Sequence, residues 1–562
     1  MSEPLAPVAA PGGRGGSEGN GHAARLAGAA WLLGGFCITL PFTIQLFRSG
    51  DEWWHLALGR LILSHGIPTT EPFSFVATQH TWVEQQWLYE AALASLVRLG
   101  GDGLASLALG LVGSLALLVA ALAVPRSARI SRGWGAAAML LGGLMAGMAL
   151  GVRAETVSAL GVALTLLTLV RWRDGNRWVV WLLPPMFLLW ANLDAGFIAG
   201  LALLAFALVI QRPARSGTAR VSAATSLAGI CVGAAAAGVV LGLVAGAVVL
   251  VVLWAAFRPV PLAKGVSRRP LAIASTAAAV LTLVNPAGPG IYAYVAETIG
   301  NPLLSQLISA WQSPNFHDAL TRLIEVVAAL LVLFWLIGRR PRIPDALLAT
   351  AALLFTLQAV RNVSIFAVVA IPQIAEYGAA AWNARAPLRL RRRLGARLPA
   401  PLAVVAAVAV SAASIAVAAP QVSAAAASRY EQTHEPASAT TYVAAHFPGQ
   451  RLLSSDGDAG YLAYRFPTGR EVFVYDEIGL FGTAPLTDYV DIATISGDWK
   501  ALIARYGFHH AILGTASADV SALLELGWTV NCRDVASGRV VMSAGGTPPT
   551  STPPPLSDAP TC

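Results

Sequence analysis

The first candidates for chemistry are two adjacent carboxylic acids, Asp51 and Glu52, which directly follow the first apolar run of the chain. The loop around them is rich in tryptophan, with Trp53, Trp54, Trp82 and Trp87. A carboxylate that is partly shielded from water at a membrane surface becomes a stronger base, which suits Asp51 to take a proton from a hydroxyl group. The alternative is that the tryptophans form an ordinary interfacial belt and that the carboxylate is simply solvated.

The spacing of Asp51, His55 and Gly59 predicts a helix that starts at the acid and continues to about Ser64. His55 then shares a face with Asp51, where it either binds an anionic or hydroxyl group or anchors the loop. This outside loop, about 48–86, ends in a polar run that is predicted to contact substrate: Glu84, Gln85 and Gln86. Asp51 and Glu84 could bind a divalent cation together, but two carboxylates are too few ligands to predict a metal site. No cofactor is predicted, and whether a divalent metal binds stays an open alternative.

Other turns on the same predicted face add polar groups: Arg153 and Glu155, Asn192 and Asp194, His317, and Arg361 and Asn362. Arginines at the end of a span are often anchors that extend to the membrane surface. Cations are scarce on the outer side of a membrane protein, however, and a guanidinium group binds a phosphate or pyrophosphate with two hydrogen bonds. We therefore predict a phosphate site at the two arginines, and further substrate contacts from Glu52, Asn192, Asp194 and His317.

The composition indicates that membrane helices position these residues. Of the 562 residues, 56% are hydrophobic and 12% are charged, and the mean hydropathy is +0.62. The charged fraction is about half that of an ordinary soluble domain, which excludes a cytosolic globular enzyme. The net charge is +8. In a membrane protein an excess of basic residues indicates first how the chain is oriented in the membrane, so no nucleic-acid partner is predicted.

Apolar runs predict about thirteen transmembrane helices within residues 25–425, after a disordered cytoplasmic N-terminus at 1–24. The runs lie at about 26–47, 103–124, 134–150, 156–170, 178–191, 195–211, 221–257 (counted as two spans), 270–284, 321–338, 343–358, 362–381 and 399–420. With the N-terminus in the cytoplasm, the cytoplasmic loops include the basic segments 125–132, 171–177, 212–220, 258–269, 338–342 and 383–397. Because short cytoplasmic loops are enriched in Lys and Arg, everything after about residue 420 is predicted to lie outside.

Two outside segments are predicted to have structure of their own. Residues 285–318 form an amphipathic segment along the membrane surface, which either closes over a pocket or caps the helices. Residues 428–545 alternate β-like runs (451–454, 471–475, 510–513, 528–531 and 539–542) with helix-like runs (about 437–446, 497–505 and 518–526). This pattern predicts a small α/β domain, followed by a disordered Pro/Ser/Thr-rich tail at 546–562.

The predicted α/β domain also contains polar residues that an acceptor could touch, to which no catalytic role is assigned: Asp456, Asp458, Tyr461, Asp476 and Glu477. The four cysteines, Cys37, Cys231, Cys532 and Cys562, are too scattered for a disulfide framework or a zinc cluster. Cys532 and Cys562 could form a disulfide bond in an oxidising compartment.

Several motifs occur along the chain: D-x-W-W-H-L-x-x-G from Asp51, P-x-x-x-P-F-S-F from Pro68, W-x-x-Q-Q-W-L-x-E from Trp82, N-x-x-x-G-F from Asn192 and W-Q-S-P-x-F-H from Trp311. Two more, D-A-G-Y-L-A-Y-R-F-P and V-F-V-Y-D, lie in the α/β domain. Over about 30–545 the chain resembles a largely uncharacterised group of bacterial membrane proteins that look like members of the GT-C glycosyltransferase superfamily. The architecture also looks like that of the catalytic subunit of oligosaccharyltransferase, by analogy only.

The resemblance implies a GT-C-like fold in the bacterial cytoplasmic (inner) membrane and transfer of a sugar from a polyprenyl-phosphate-linked donor. The acceptor would be a glycan, lipid or protein outside the cytoplasm. Asp51 matches the acidic residue of the first outside loop in this superfamily, so it would be the general base of an inverting reaction, with Arg361 or Arg153 at the lipid phosphate. The segments GVRAET and LWANLDAGF depart from the pattern, which has Arg-Pro-Gln and His there.

Two alternatives belong to other functional classes. A non-catalytic protein of the same fold would bind a lipid-linked glycan for a partner. A transporter or flippase would place ionisable residues at mid-membrane depth, whereas the predicted spans have few, with Glu325 and Glu376 near span ends.

Overall fold

The computed structural model describes residues 16–76, 83–125, 128, 132–210, 266–300, 308–385, 400–467, 471–477, 481–545 and 556–562. In these ranges a helical domain is followed by a small domain built around a four-stranded sheet. Several predictions fall outside them: the double span at 221–257, the basic loop at 212–220, most of the loops at 258–269 and 383–397, and Trp82.

The described residues of the helical domain form thirteen α-helices. They are α1 (Gly16–Thr43), α2 (Gly50–His65), α3 (Trp87–Leu122), α4 (Arg132–Ala146), α5 (Ala154–Arg173), α6 (Leu183–Trp190), α7 (Phe197–Ile210), α8 (Arg269–Leu281), α9 (Gly290–Gly300), α10 (Arg322–Ile337), α11 (Ile343–Gln358), α12 (Val363–Arg385) and α13 (Ala400–Ala418). Helix α1 begins at Gly16, within the N-terminal segment 1–24 that was predicted to be disordered.

Four segments of the described chain are long and apolar enough to cross a membrane: Trp87–Leu122, Ala154–Arg173, Val360–Arg385 and Pro401–Val422. Other predicted runs correspond to shorter apolar helices, such as Phe197–Ile210 and Ile343–Gln358. The predicted total of about thirteen spans is therefore not confirmed. The segment Val360–Arg385 is the most enclosed of the four, since 83% of its most apolar stretch is buried, against 28% for Pro401–Val422.

Helix α3 is bent where the first outside loop meets the membrane domain. Gly100 and Gly101 have non-helical backbone angles, and φ is +68° at Gly101, a conformation that favours glycine. The part before the bend begins at Trp87 and carries Glu90, whereas the predicted span began only at about residue 103. The return of the outside loop is thus already helical and packs against α2.

The small domain begins with α14 (Ala424–His434) and α15 (Ala437–His446) and continues with β1 (Leu452–Ser454), α16 (Asp456–Arg465), α17 (Thr483–Ala493), α18 (Trp499–Tyr506), β2 (His510–Gly514), α19 (Ala518–Glu525), β3 (Thr529–Asp534) and β4 (Arg539–Ser543). The sheet order is β1-β2-β4-β3, with β1 parallel to β2 and the other pairs antiparallel. Four of the five predicted strands are present. The fifth, 471–475, is extended and pairs with the first outside loop through Ser74 and Val472.

The end of the chain folds back on this domain. Cys532 of β3 and Cys562 form a disulfide with Cα atoms 5.0 Å apart. The Cys562 N–H donates to the Arg533 carbonyl at 2.9 Å, and the Arg533 N–H donates to the Pro560 carbonyl at 2.7 Å. Residues 556–562, which the composition predicts to be disordered, therefore cover the edge strand β3, because a disulfide and backbone pairing hold them there.

Candidate active site

Helix α2 starts where the spacing of Asp51, His55 and Gly59 predicts, and its start is built by Glu52. Ser49 is the N-cap residue of this helix. The Glu52 carboxylate accepts hydrogen bonds from the Arg48 N–H at 3.0 Å and the Ser49 hydroxyl at 2.8 Å, and its other oxygen lies 3.5 Å from Nε of Arg153. Glu52 is 3% exposed, and its carboxylate caps the helix that carries Asp51.

Two close contacts between backbones hold α2 between α3 and α16. A Cβ on Gly59 would lie 2.1 Å from the Glu90 carbonyl oxygen, and a Cβ on Gly460 would lie 2.2 Å from the Gly50 carbonyl oxygen. Only glycine allows helices to approach this closely. The small domain is therefore packed directly against the first turn of α2, next to Asp51.

Trp53 fills the remaining space between α2 and α16. Its ring centroid lies 5.1 Å from that of Tyr461 and 5.0 Å from that of Tyr464. Trp53 is 3% exposed, so it is a core residue at a domain boundary rather than part of a lipid-facing belt.

A second junction joins the P-F-S-F motif to the small domain. The Phe75 N–H donates to the Val472 carbonyl at 3.0 Å, and Phe75 stacks on Phe473 with centroids 5.6 Å apart. The Glu71 carboxylate accepts hydrogen bonds from the Phe73 N–H at 2.8 Å and the Tyr475 hydroxyl at 2.9 Å. Glu71 thus orders the loop and binds the small domain with one side chain.

We expect Glu71→Ala to loosen this junction. It leaves the buried Phe73 N–H and Tyr475 hydroxyl without their acceptor, at about 1–3 kcal/mol for each group. Hydrogen exchange of residues 71–76 and 471–475 should accelerate, whereas Glu525→Ala, at an exposed position of α19, should leave it unchanged. Unaltered protection in the Glu71 variant would show that the junction is held by its aromatic residues alone.

Asp51 lies near an acid of the small domain and near both predicted arginines. Its Oδ1 accepts a hydrogen bond from Nε1 of Trp54 at 3.4 Å. Asp476, from the small domain, lies beside Asp51. The pKa of Asp476 is raised well above its usual range, mainly by burial and then by the charge of Asp51 and a hydrogen bond with Asp51. Asp476 and Asp51 thus share a hydrogen bond between the small domain and α2.

Both predicted arginines are within electrostatic reach of Asp51. Arg153 pairs with Glu52 at 3.5 Å, and although burial opposes the charged form, Glu52, Asp51 and Glu155 together raise the pKa of Arg153. Arg361 pairs with Glu155. The turns that carry the two arginines therefore converge beside α2.

The W-Q-S-P-x-F-H motif contributes an aromatic contact to the arginine group. The guanidinium carbon of Arg361 lies 4.5 Å from the centroid of the Trp311 ring, a cation–π contact. The Val360 N–H also donates to the Gln312 carbonyl at 2.9 Å. This motif thus fixes the turn that carries Arg361.

A small polar cleft lies next to Asp51, lined by Trp54, Val83, Glu84, Gln85, Gln86, Glu90, Tyr294 and Glu477. Nε2 of Gln85 donates to the Tyr294 hydroxyl at 3.1 Å, and this hydroxyl donates to Glu477 at 2.9 Å. The three polar residues Glu84, Gln85 and Gln86, predicted from the sequence, therefore lie together in one cavity. Tyr294 belongs to α9, so the predicted interfacial segment forms one wall.

His55 lies behind this cleft and is neutral. Its Nδ1 is 2.8 Å from Oε1 of Glu90, and its ring lies 3.6 Å from that of Trp54, centroid to centroid. Burial lowers its pKa to about 4, although the charges of Asp51 and Glu155 act in the opposite direction. A neutral imidazole in this position supports the cleft and does not supply a cation for a phosphate.

The other predicted substrate residues hold neighbouring turns together. The side-chain oxygen of Asn192 accepts from Nε1 of Trp87 at 2.8 Å, and its amide donates to the Val284 carbonyl at 2.8 Å. Asp194 is bonded to Ser158 and accepts from the Gly196 N–H; burial first, and then Glu155, raise its pKa to about 6. The side chain of His317 is exposed.

Two residues at the site, Tyr294 and Trp311, were not predicted individually, and Asp476 and Glu477 were predicted only as possible acceptor contacts without a catalytic role. Asp476 and Glu477 directly follow the extended run Val472–Tyr475. Their position at the end of an apolar run was the sequence feature that could have indicated a place in the site. Within the described ranges, no group of three or more His, Cys, Asp or Glu side chains is arranged to hold a metal ion.

The raised pKa of Glu477 predicts a pH dependence of stability. Burial first, and then the charges of Glu84 and Asp51, raise its pKa from 4.5 to about 7, against the opposing effects of the Tyr294 hydroxyl and Arg361. Ionisation of the Glu477 carboxyl group costs more free energy in the folded protein than in the unfolded chain. The neutral Glu477 side chain therefore contributes to stability fully below pH 4.5, and this contribution is lost as the pH rises through about 7.

We therefore expect the melting temperature of the wild-type protein in detergent to fall between about pH 5 and about pH 8. Glu477→Gln should reduce this fall because a neutral amide does not ionise, whereas Glu525→Gln should not. Equal slopes in the two variants would contradict the assignment to Glu477.

The chain is similar to several solved structures. One is archaeal oligosaccharyltransferase AglB from Archaeoglobus fulgidus in complex with an inhibitory peptide and a dolichol-phosphate, with a TM-score of 0.49, 13% identity, and coverage of 94% of this chain and 75% of that chain. Others are ArnT from Cupriavidus metallidurans in the apo state and bound to undecaprenyl phosphate, with TM-scores of 0.43 and 0.41, identities of 16% and 17%, and coverage of 95% of this chain and 100% of those chains.

With all three TM-scores below 0.5, the reaction of this chain has to be argued from its own site. No protein-family model matches the sequence, and no curated protein matches it.

Proposed function

We propose that this protein is a GT-C-type glycosyltransferase of the bacterial cytoplasmic membrane that acts on the outer face. It would transfer a sugar from a polyprenyl-phosphate-linked donor to a glycan, lipid or protein acceptor. The observation that supports this most is the grouping of Asp51 with Arg153 and Arg361 beside a polar cleft. A lipid-linked donor keeps its tail in the bilayer and its phosphate at the surface, where such a group has to lie.

In the proposed reaction Asp51 is the general base. It takes the proton of the acceptor hydroxyl while the oxygen attacks the anomeric carbon, and the bond from that carbon to the lipid phosphate oxygen breaks with inversion. Asp476 shares a hydrogen bond with the Asp51 carboxylate, which would fix the orientation of Asp51 towards the acceptor. The small domain thereby orients the base.

The arginines would stabilise the charge on the departing phosphate. Arg361 is the better placed, since Trp311 and Glu155 already fix its orientation. A guanidinium group has five N–H donors, so Arg361 can keep Glu155 and bind a phosphate oxygen as well. Glu155 and Glu52 thus position the two cations for the phosphate.

A non-catalytic protein that binds a lipid-linked glycan for a partner is the second candidate. It is favoured by the pairing of both arginines with protein carboxylates, which moderates their effect on a leaving group. An ion-coupled transporter has less support, because the Glu376 carboxylate is bonded to Arg339 at 2.7 Å and to Arg342 at 2.6 Å, and an ion-paired carboxylate is poorly suited to carry protons.

The test uses the purified full-length protein in detergent with radiolabelled polyprenyl-phosphate-linked sugars and a membrane extract as the source of acceptors. Transfer of label to a new product, with release of polyprenyl phosphate, is expected. Donor binding without release would overturn the enzyme assignment in favour of the second candidate. Accumulation of the labelled compound inside proteoliposomes would overturn both in favour of a transporter.

A further inference from the structure

Tyr89 carries a buried hydroxyl group that forms no hydrogen bond with any residue that the structure describes. It lies in the first part of α3, before the bend, and is 3% exposed. The large majority of buried polar side-chain atoms in proteins are hydrogen-bonded, to protein groups or to ordered water. The Tyr89 hydroxyl therefore needs a partner from outside the described part of the chain.

This hydroxyl lies beside the turn that carries Arg153. Tyr89 belongs to the same packed cluster as Val152 and Ala154, the two neighbours of Arg153 in the sequence, and Arg153 acts on the hydroxyl electrostatically. The Tyr89 ring meets the His55 ring edge-on, with centroids 5.9 Å apart. The unpaired group is thus part of the candidate active site and not of the distant helix core.

The carboxylates nearby do not use the hydroxyl. Three of them lie within electrostatic reach of it: Glu52, Glu155 and Glu90. Glu52 is paired with Arg153 and Glu155 with Arg361. Glu90 holds the ring of His55. Each acid is engaged with another group, so the Tyr89 hydroxyl stays available to an occupant of the site.

The groups that meet here are donors, which selects the chemistry of the occupant. A tyrosine hydroxyl ionises only near pH 10 (about its usual pKa), so at neutral pH it donates a hydrogen bond, and the guanidinium groups of Arg153 and Arg361 can only donate. Phosphate oxygens are acceptors of this kind of bond. Both arginines already share their charge with a carboxylate, whereas Tyr89 has no protein contact to give up.

We propose that the Tyr89 hydroxyl donates a hydrogen bond to a phosphate oxygen of the polyprenyl-phosphate carrier, next to Arg153. The proposal rests on the proposed function for the identity of the ligand, a lipid-linked phosphate. Tyr89 is then a phosphate-binding residue in addition to the two arginines. It supplies a neutral donor from α3 to a site whose cations come from the turns before α5 and α12.

Tyr89→Phe tests this assignment, because it removes one oxygen atom and keeps the ring. The affinity of the purified full-length protein in detergent is measured by calorimetry with a polyprenyl phosphate, and with polyprenol, which has the same tail and no phosphate. The variant should bind polyprenyl phosphate at least about tenfold more weakly, as for the loss of one hydrogen bond to a charged group, and polyprenol as the wild type does. Unchanged affinity for polyprenyl phosphate would overturn the proposal, since the hydroxyl would then meet only water. Equal weakening for both ligands would also overturn it, since the contact would then be with the tail.

The melting temperature without ligand separates a ligand contact from a structural one. Tyr89→Phe breaks no bond between described protein groups, so the melting temperature should not fall. Tyr377→Phe is the matched control: this buried hydroxyl donates to Asp345 at 2.6 Å, and it lies about 20 Å along α12 from the end near Arg361. The control should lower the melting temperature and leave the affinity for polyprenyl phosphate unchanged. An equal fall in both variants would show that the Tyr89 hydroxyl supports the fold, and would overturn the proposal.

Inorganic phosphate distinguishes a free phosphate from a lipid-linked one. If it binds the wild type as tightly as polyprenyl phosphate does, and loses affinity equally in Tyr89→Phe, the lipid carrier is the wrong ligand. These measurements contain no sugar and no acceptor, so they fail separately from the proposed function. Weaker phosphate binding in the variant, without any sugar transfer by the wild type, would support the role of Tyr89 and count against the enzyme. Unchanged binding and unchanged transfer in the variant would overturn only the role of Tyr89.

Discussion

Asp51→Asn should lower sugar transfer by about 10³-fold while the protein remains folded and membrane-inserted. An amide cannot take the proton of an acceptor hydroxyl, and loss of a positioned general base typically costs 10²–10⁴-fold in rate. The substitution keeps the size of the side chain, and an amide oxygen can still accept from Trp54. Donor binding should therefore change much less than the rate of transfer.

The measurement compares initial rates of transfer from a labelled polyprenyl-phosphate-linked sugar, with membrane insertion and melting temperature as checks. Asp498→Asn is a matched control, because Asp498 is exposed before α18 in the small domain. Unchanged transfer in the Asp51 variant would remove it as the catalytic base. Equal loss of transfer in both variants would point to a general defect.

Gly460→Ala should both destabilise the protein and reduce transfer, although Gly460 belongs to the small domain. A Cβ at this position would lie 2.2 Å from the Gly50 carbonyl oxygen, so α16 has to move away from the first turn of α2. Overpacking of this kind costs about 1–3 kcal/mol. A shift of about 1 Å in a catalytic group can cost about 10²-fold in rate, and Asp51 is the next residue after Gly50.

Gly457→Ala is the internal control for this prediction. Gly457 lies one turn earlier in α16, and a Cβ there would meet no atom within 4 Å. This variant should keep its activity and gain up to about 1 kcal/mol, since alanine favours a helix over glycine. Thermal unfolding and transfer assays of the two variants in parallel test the idea, and equal behaviour would show that the contact of α16 with α2 does not position Asp51.

These two predictions assign the small domain a direct part in the site. It packs against α2 at Gly50 and pairs with the loop at Ser74, and it places Asp476 beside the candidate base. A membrane domain without it would have Asp51 on a helix that lacks one of its two packing partners. The proposed catalytic unit therefore includes residues from both ends of the chain.

Local patterns in the sequence determined the elements that carry the site. The spacing of Asp51, His55 and Gly59 predicted α2, and β-like runs predicted the four strands of the small domain, because side chains on the buried face of an element recur with its own period. The polar run Glu84, Gln85 and Gln86 lines one cleft, and its contact with substrate stays a prediction.

Only the tertiary structure decided what each polar side chain does. In the structure Glu52 caps α2, and Asn192 joins the turns at Trp87 and Val284. Asp476 looked like a solvated loop acid, yet packing of the small domain places it beside Asp51, more than 400 positions away in the sequence. The physical reason is that periodicity reports which face of an element is buried, whereas the partner of a carboxylate depends on which distant backbone can approach it, and here glycines at α2 and α16 permit that approach.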